Sequence, residues 1–222
     1  LKTGLNAMKQ ILKNNLTLTI VSVLLFFITG CKSRESRGLQ NGDFLFVTAK
    51  ETGLSGAINN VTQKQKTASF DHIGIVEIKN QQFYVLHAAP KGGSQKQSLN
   101  EFIKEHTAEK QSIVVYRLKA PFQNTIPTAI EKAESMLGKP YNFNYILDEN
   151  SYYCSDFIER AFRNDHIFTL EPMTFIDPKT GKTNMFWEEF YKKKNLKVPE
   201  GELGCNPNGL AGSDKLQRIK EL

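Results

Sequence analysis

Two short apolar runs joined by a turn constrain this chain more than any other stretch. Residues 71–78 alternate so that His72, Gly74, Val76 and Ile78 share one face while Ile73 and Ile75 occupy the other. Both faces are largely apolar, which asks for a central strand covered on two sides. Lys79-Asn80 makes a tight turn, and residues 81–88 return as an antiparallel partner with Phe83, Val85 and His87 on one face. Pairing Ile78 with Gln81 sets His72 directly opposite His87, whereas a slip of one residue would send the two imidazoles to opposite faces. The same alternation turns the Asp71 carboxylate away from His72.

The other elements follow from local pattern. Residues 44–48, dense in aromatic and β-branched side chains, make a strand, and so do residues 112–118. One or two helical turns fit within 52–62, followed by a polar loop over 63–68. Residues 90–98, with Gly92-Gly93, read as a loop. Ser98 with Glu101 three positions later opens a short capped helix. Residues 121–125 are a link. Ile126, Ala129, Ile130, Ala133 and Leu137 form one helical face, stopped by Gly138 and Pro140. An aperiodic aromatic loop over 141–153 leads into a helix that begins at Cys154 and buries Phe157, Ile158, Ala161 and Phe162. Residues 184–194 read as a surface helix with an aromatic side, Phe186, Trp187, Phe190 and Tyr191, used for packing. From Pro199 the chain reads as loop, with a charged tail over 217–222. The expected architecture is α+β: one domain over 42–216, an antiparallel sheet or partial barrel packed on the Cys154 helix.

The first 30 residues have a different character. Lys9 and Lys13 precede an apolar run over 16–28, and no acid occurs before Glu35. These are the parts of an export signal, with Met8 as the expected start. The run is too short for a comfortable membrane span, which needs roughly 20 residues. It ends Ile28-Thr29-Gly30-Cys31, similar to a bacterial lipobox, so Cys31 is the expected lipidation site. Residues 31–41 then read as a polar tether. The expected location is the bacterial cell envelope, lipid-anchored to a membrane on the periplasmic or cell-surface side. From Cys31 onward 26 basic residues face 23 acidic ones, so the net charge of +6 for the whole chain overstates its basicity. No basic block with interleaved aromatics is present, which argues against nucleic acid.

The chemistry converges on Tyr153-Cys154-Ser155. A cysteine at a helix N-terminus meets unpaired N–H groups and the positive end of the macrodipole, both of which favour the thiolate. A neighbouring imidazole would take the proton and return it to a leaving amine, and a third polar group would orient that imidazole. His72 suits the base and His87 the orienting group. Each residue type also has a plainer use: a helix-start cysteine as packing, a strand histidine as a satisfied structural group, or the three together as a zinc site. No carboxylate or second thiol lies at ligand spacing, so no metal is expected. Cys205 reads as an incidental thiol in a C-terminal loop, with a Cys154–Cys205 disulfide as the alternative. His106 and His166 read as surface residues.

Several motifs in this order resemble one family. They are Gly42-Asp43-Phe44-Leu45, Phe70-Asp71-His72-Ile73-Gly74-Ile75-Val76, Tyr84-Val85-Leu86-His87-Ala88, Leu137-Gly138-Lys139-Pro140-Tyr141, Tyr152-Tyr153-Cys154-Ser155, Glu171-Pro172-Met173-Thr174 and the segment 201–208. Together, over about 42–216, they resemble the permuted papain-like cysteine hydrolases, the YiiX/YebB-like branch of the NlpC superfamily, in which the histidine strands precede the cysteine helix. The resemblance implies a permuted papain-like (NlpC-type) fold with Cys154 as nucleophile and His72 as base. It puts His87 in the third polar position, where the branch often has Glu. Tyr141 and Tyr153 would be its substrate or oxyanion contacts, and Asp156 would complement the helix dipole. The implied function is an extracytoplasmic cysteine amidase or peptidase that works through a thioacyl intermediate without cofactor or metal. Its substrate would be a peptide or other amide, such as one derived from cell wall. Two alternatives stay open: a lipid-directed acyltransferase or hydrolase with the same triad, and a non-catalytic lipid-tethered binding module.

Overall fold

Six strands form one antiparallel sheet in the order β4-β3-β2-β1-β5-β8: β1 (Phe44–Thr48), β2 (Phe70–Lys79), β3 (Gln82–Ala89), β4 (Gly93–Ser98), β5 (Ile113–Leu118) and β8 (Leu216–Glu221). A separate two-stranded ribbon pairs β6 (Glu171–Pro172) with β7 (Leu203–Gly204). The helices are α1 (Gly53–Thr62), α2 (Leu99–Ala108), α3 (Ile126–Ser135), α4 (Cys154–Phe162), α5 (Met185–Lys192) and α6 (Pro207–Ala211). The computed structural model describes Ser36 and residues 38–62 and 69–222. The signal segment, Cys31, most of the tether and the loop 63–68 lie outside the described residues. Among those described, no helix is long and apolar enough to cross a membrane.

The mixed α/β class and the antiparallel sheet agree with expectation, but the sheet stays open at β4 and β8 and closes no barrel. Both edge strands were unexpected. Residues 93–98 had read as loop and 217–222 as tail. Their sequences, GSQKQS and LQRIKE, are polar because an edge strand needs little apolar surface, and charge along it discourages pairing with another chain. The ten-residue α1 is longer than one or two turns. Helix α2 has its capping box: Glu101 N–H donates to Ser98 Oγ and Ser98 N–H to Glu101 Oε2, each at 3.3 Å. Helix α5 is not simply a surface helix, since Trp187 and Tyr191 are buried in the core.

The central hairpin has a register two residues away from the expected one. Its turn is Asn80-Gln81, with φ of 52° and 64°, and Lys79 pairs with Gln82. Two left-handed residues match the right-handed twist of the strands, which the expected Lys79-Asn80 turn would not. A shift of two keeps every side chain on its face, so His72 and His87 still share one but lie diagonally. Gly74 leaves room for this: a Cβ there would lie 3.3 Å from His87 Cβ and 2.4 Å from Val85 Cγ1. A second irregularity sits where β2 meets β1. Val47 pairs with His72 but Thr48 with Phe70, so Asp71 is an extra, bulged residue.

Alternation in β1 explains the two-sided core. Phe44 and Phe46 join one cluster with Ile73, Ile75, Leu86 and helix α4, while Leu45 and Val47 join another with Val76, Val85 and Phe102 of α2. The start of β1 is anchored by a buried ion pair. Asp43 accepts from Arg117 Nε at 2.6 Å and from its Nη2 at 2.9 Å, and also from the Gln40 amide at 2.8 Å. Arg117 is mostly shielded and Asp43 wholly buried. Removing one partner strands the other charge, which is the expensive way to lose such a pair. Asp43→Asn should therefore lower the unfolding free energy by about 3 kcal/mol, read as a drop in the urea midpoint with little change in slope; a loss within error would mean that the pair contributes nothing net.

Candidate active site

Helix α4 brings Cys154 to the sheet. Tyr153 precedes it in an extended conformation and no side chain caps it, so its first amides are free of a capping partner. Every residue of the helix is buried. Its N-terminus is held by Ser155 Oγ donating to the Cys205 carbonyl at 3.1 Å and by Cys205 N–H donating to Tyr153 Oη at 3.3 Å. Asp156 does more than complement the dipole. Its Oδ1 accepts from Arg160 Nε at 2.6 Å, and Arg160 also reaches Glu149 at 2.6 Å. Burial still dominates at Asp156 and pushes its carboxyl up to about 6.

The thiol sits where β2 loses β3. That ladder runs from Lys79↔Gln82 to Ile75↔Leu86 and stops. Just beyond, the Cys154 thiol donates to the Asp71 carbonyl at 3.8 Å, and the Ile73 amide faces the sulfur. Desolvation is the largest influence on the thiol, with the Asp71 carboxylate next, and together they push it up to about 12. The amides of Ser155 and Ile73 and the Tyr141 hydroxyl work the other way but do not prevail. In this state Cys154 is a protonated, desolvated thiol. Cys154 and Cys205 are both free and buried.

The histidines form a connected set. His72 Nε2 and His87 Nδ1 are 2.9 Å apart. Both are buried, and burial is the first cause that pushes their protonation down, well below the usual range for His72 and to about 3 for His87. His106, expected at the surface, is only partly exposed. Its ring lies 5.5 Å from that of His72 and 4.6 Å from Phe102, because α2 runs on for a full ten residues. The tautomers can be deduced. Gln97 Nε2 donates to Glu105 at 2.9 Å, which leaves Gln97 Oε1 as an acceptor. That oxygen and His87 Nε2 are both buried without a conventional partner, and the two side chains interact. A proton on His87 Nε2 serves both atoms. His87 Nδ1 then accepts from His72 Nε2–H, and the lone pair of His72 is on Nδ1, as a general base requires.

The expected residues are thus brought together in two groups. His72 and His87 share the face of Val47 and Phe102, whereas Cys154 packs in the cluster on the opposite face with Ile73 and Ile75. No hydrogen bond joins Cys154 to His72, but Sγ touches the main chain of the residue directly before His72, so one strand separates them. Asp71, expected to face away from His72, does so: it lines the Cys154 cavity and accepts from Gln111 Nε2 at 3.3 Å. That cavity is about 450 Å³. Tyr141 lines it close to the thiol. Tyr153 lines it too, with its hydroxyl already bonded to Cys205. Tyr145 is also in the wall and carried no periodic or motif signal in the sequence. Among the described residues, no group of three or more His, Cys, Asp or Glu side chains is placed to hold a metal ion.

A thiol titrating near 12 is almost wholly protonated at neutral pH. Alkylation of Cys154 by iodoacetamide in the ligand-free protein should rise about tenfold per pH unit from 6 to 9, without a plateau. A plateau reached below pH 7 would instead reveal a standing thiolate–imidazolium pair.

Known proteins resemble this chain in sequence and in fold. A family model described as permuted papain-like amidase enzyme, YaeF/YiiX, C92 family, matches residues 38–220. The uncharacterized protein YiiX of Escherichia coli K12 is 27% identical over 126 residues, which is 56% of this chain and 58% of that protein. The match therefore spans less than two thirds of that relative's length. The crystal structure of metalloprotein YiiX from Escherichia coli O157:H7 superposes with a TM-score of 0.68 at 21% identity, covering 82% of this chain and 97% of that one, a likeness of fold. With the family model covering the whole sheet, the thiol helix and the histidine strands in this order, the chain belongs to the permuted papain-like amidase family YaeF/YiiX.

Proposed function

We propose that the protein is a cysteine amidase or peptidase in which Cys154 attacks an amide carbonyl, His72 is the base and His87 orients it. What carries this reading is the placement of Cys154 as the first residue of α4, opening on a cavity and lying one strand from an imidazole whose Nε2 is already engaged. In the first step the thiol proton passes to His72 Nδ1, the S–C bond forms and the carbonyl electrons move to oxygen. Amides at the start of α4 suit that oxyanion. The C–N bond then breaks, with the imidazolium returning the proton to the departing amine. Water hydrolyses the thioester by the same route. His72 and Cys154 share no hydrogen bond in the ligand-free protein and pack on opposite faces of β2, so proton transfer requires the two side chains to be brought together when substrate binds.

The cavity lining is mixed and can take an amide or peptide with apolar parts. Apolar residues such as Ile58, Met173 and Leu210 share its wall with Asp71, Glu171 and Asp214, acids suited to a substrate amine. The solved YiiX neighbour is described as a metalloprotein. Here the facing imidazole nitrogens stand 2.9 Å apart, nearer than the roughly 3.3 Å expected between two ligands of one tetrahedral ion, so the pair is set as a hydrogen bond and not as two ligands of one metal. The missing Cys154–His72 hydrogen bond favours a second reading, a tethered binding module without turnover.

Turnover of a panel of cell-wall peptides and simple N-acyl amides separates the two. Cys154→Ala should abolish hydrolysis and His72→Ala should lower kcat by about 10²-fold or more, with Cys205→Ala near wild type. No turnover of any of these substrates by the wild-type protein would favour the binding module, and turnover indifferent to both Cys154 and His72 would sink the assignment of nucleophile and base. We further propose that Cys31 carries lipid at the cell envelope, on the strength of the Lys9 and Lys13 start, the apolar run over 16–28 and the Thr29-Gly30-Cys31 end. Cys31→Ser should move the protein from the membrane fraction to the soluble one; continued sedimentation with membranes would sink this.

A further inference from the structure

Tyr145 has two features that nothing in the fold requires. Its φ is 57°, in the left-handed region that a bulky side chain rarely enters. Its hydroxyl is buried and makes no hydrogen bond of ordinary geometry, the one such tyrosine among the described residues; the Tyr141 phenol interacts with it more loosely. An unpaired buried hydroxyl costs stability, and so does a strained backbone, so a chain holding both at one residue does so against its own preference.

The surroundings hold the residue there. The Tyr141↔Tyr152 bridge closes the base of its loop. Asn142 ties the loop internally, with Nδ2 donating to the Ile146 carbonyl at 2.6 Å and Oδ1 accepting from the Asn144 amide at 2.9 Å. Tyr191 Oη donates to the Asn144 carbonyl at 2.8 Å. The Tyr145 ring is walled by Tyr153 at 5.5 Å and Trp187 at 5.7 Å between centroids. By contrast the hydroxyls of Tyr152, Tyr153 and Tyr191 all have partners. The free hydroxyl belongs to a residue that lines the Cys154 cavity, and negative charge on the Cys154 sulfur is felt at its phenol.

We infer that Tyr145 is a catalytic residue whose phenolic O–H donates a hydrogen bond to the substrate carbonyl oxygen as Cys154 adds to the carbonyl carbon. This rests on the reading of Cys154 as nucleophile. The S–C bond forms, the carbonyl electron pair moves to oxygen, and the phenol keeps its proton while the hydrogen bond to that oxygen strengthens. A donor fixed beforehand and not committed to a well-formed protein hydrogen bond serves a developing oxyanion better than one that must first leave a strong acceptor. Tyr145 thereby adds a side-chain donor to the amides at the start of α4.

The test compares two reactions of the same thiol in the full chain. p-Nitrophenyl acetate acylates Cys154 through an oxyanion, whereas iodoacetamide alkylates it without one. Tyr145→Phe removes only the hydroxyl. It should slow acylation by at least about tenfold, leave alkylation within about twofold, and keep the melting temperature equal or higher, because an unpaired buried group is removed. Acylation at the wild-type rate, or equal slowing of both reactions, would overturn the inference. Acylation that survives Cys154→Ala would instead overturn the nucleophile reading beneath it.

Discussion

The contact on which the site depends is the abutment of the α4 N-terminus against the main chain of β2, at the point where β3 has peeled away. A strand that loses its neighbour exposes peptide groups that must find partners. Here the Asp71 carbonyl and the Ile73 amide face the Cys154 sulfur. The thiol thus completes the sheet at its frayed end and leaves water in doing so. Its protonation follows from that: the helix amides would favour a thiolate, but desolvation outweighs them. The same abutment sets one wall of the cavity, since Tyr141, Tyr153 and Ser155 are carried in with the helix start.

The histidine pair obeys a different constraint. Packed against Phe102, His72 and His87 have little water to bond with, and each takes the other as partner. Beyond His87 lies Gln97, whose amide donates to Glu105 and whose oxygen is left to face the imidazole, an arrangement that favours a proton on His87 Nε2. A neutral imidazole in the third position orients without adding negative charge, so His87 sets the tautomer of His72 rather than its basicity. The acid-rich side of the site lies across the strand, where the bulged Asp71 meets the cavity. Sequence distance is a poor guide here: Asp71 and His72 are adjacent, yet they serve different surroundings.

Much of this was legible in the amino-acid pattern, unevenly. Strands with apolar residues on both faces, β1, β2, β3 and β5, announce themselves because burial on two sides leaves no place for polar residues. The edge strands β4 and β8 do not, because an edge makes no such demand. The helix start at Cys154 was legible from its apolar stripe, and the capping box of α2 from Ser98 and Glu101. The hairpin register came out two residues off because it hangs on which two residues tolerate positive φ, and Asn80-Gln81 resembles Lys79-Asn80 too closely for composition to decide. His106 and Tyr145 gave no signal, since one joins its partners through the length of a helix and the other through a strained loop.

By itself the chain's sequence determined that a central antiparallel hairpin would carry two histidines on one face, and that a cysteine would begin a buried helix. These depend on period and capping, which are local. Only the tertiary structure decided which face of the sheet that helix covers, how far the thiol is desolvated, that Asp71 bulges toward the cavity and that the buried Tyr145 side chain lines the cavity shared with the thiol. Each of these depends on packing between segments far apart in the chain, where a two-residue shift or a single bulge changes the chemistry while leaving the hydrophobic pattern intact.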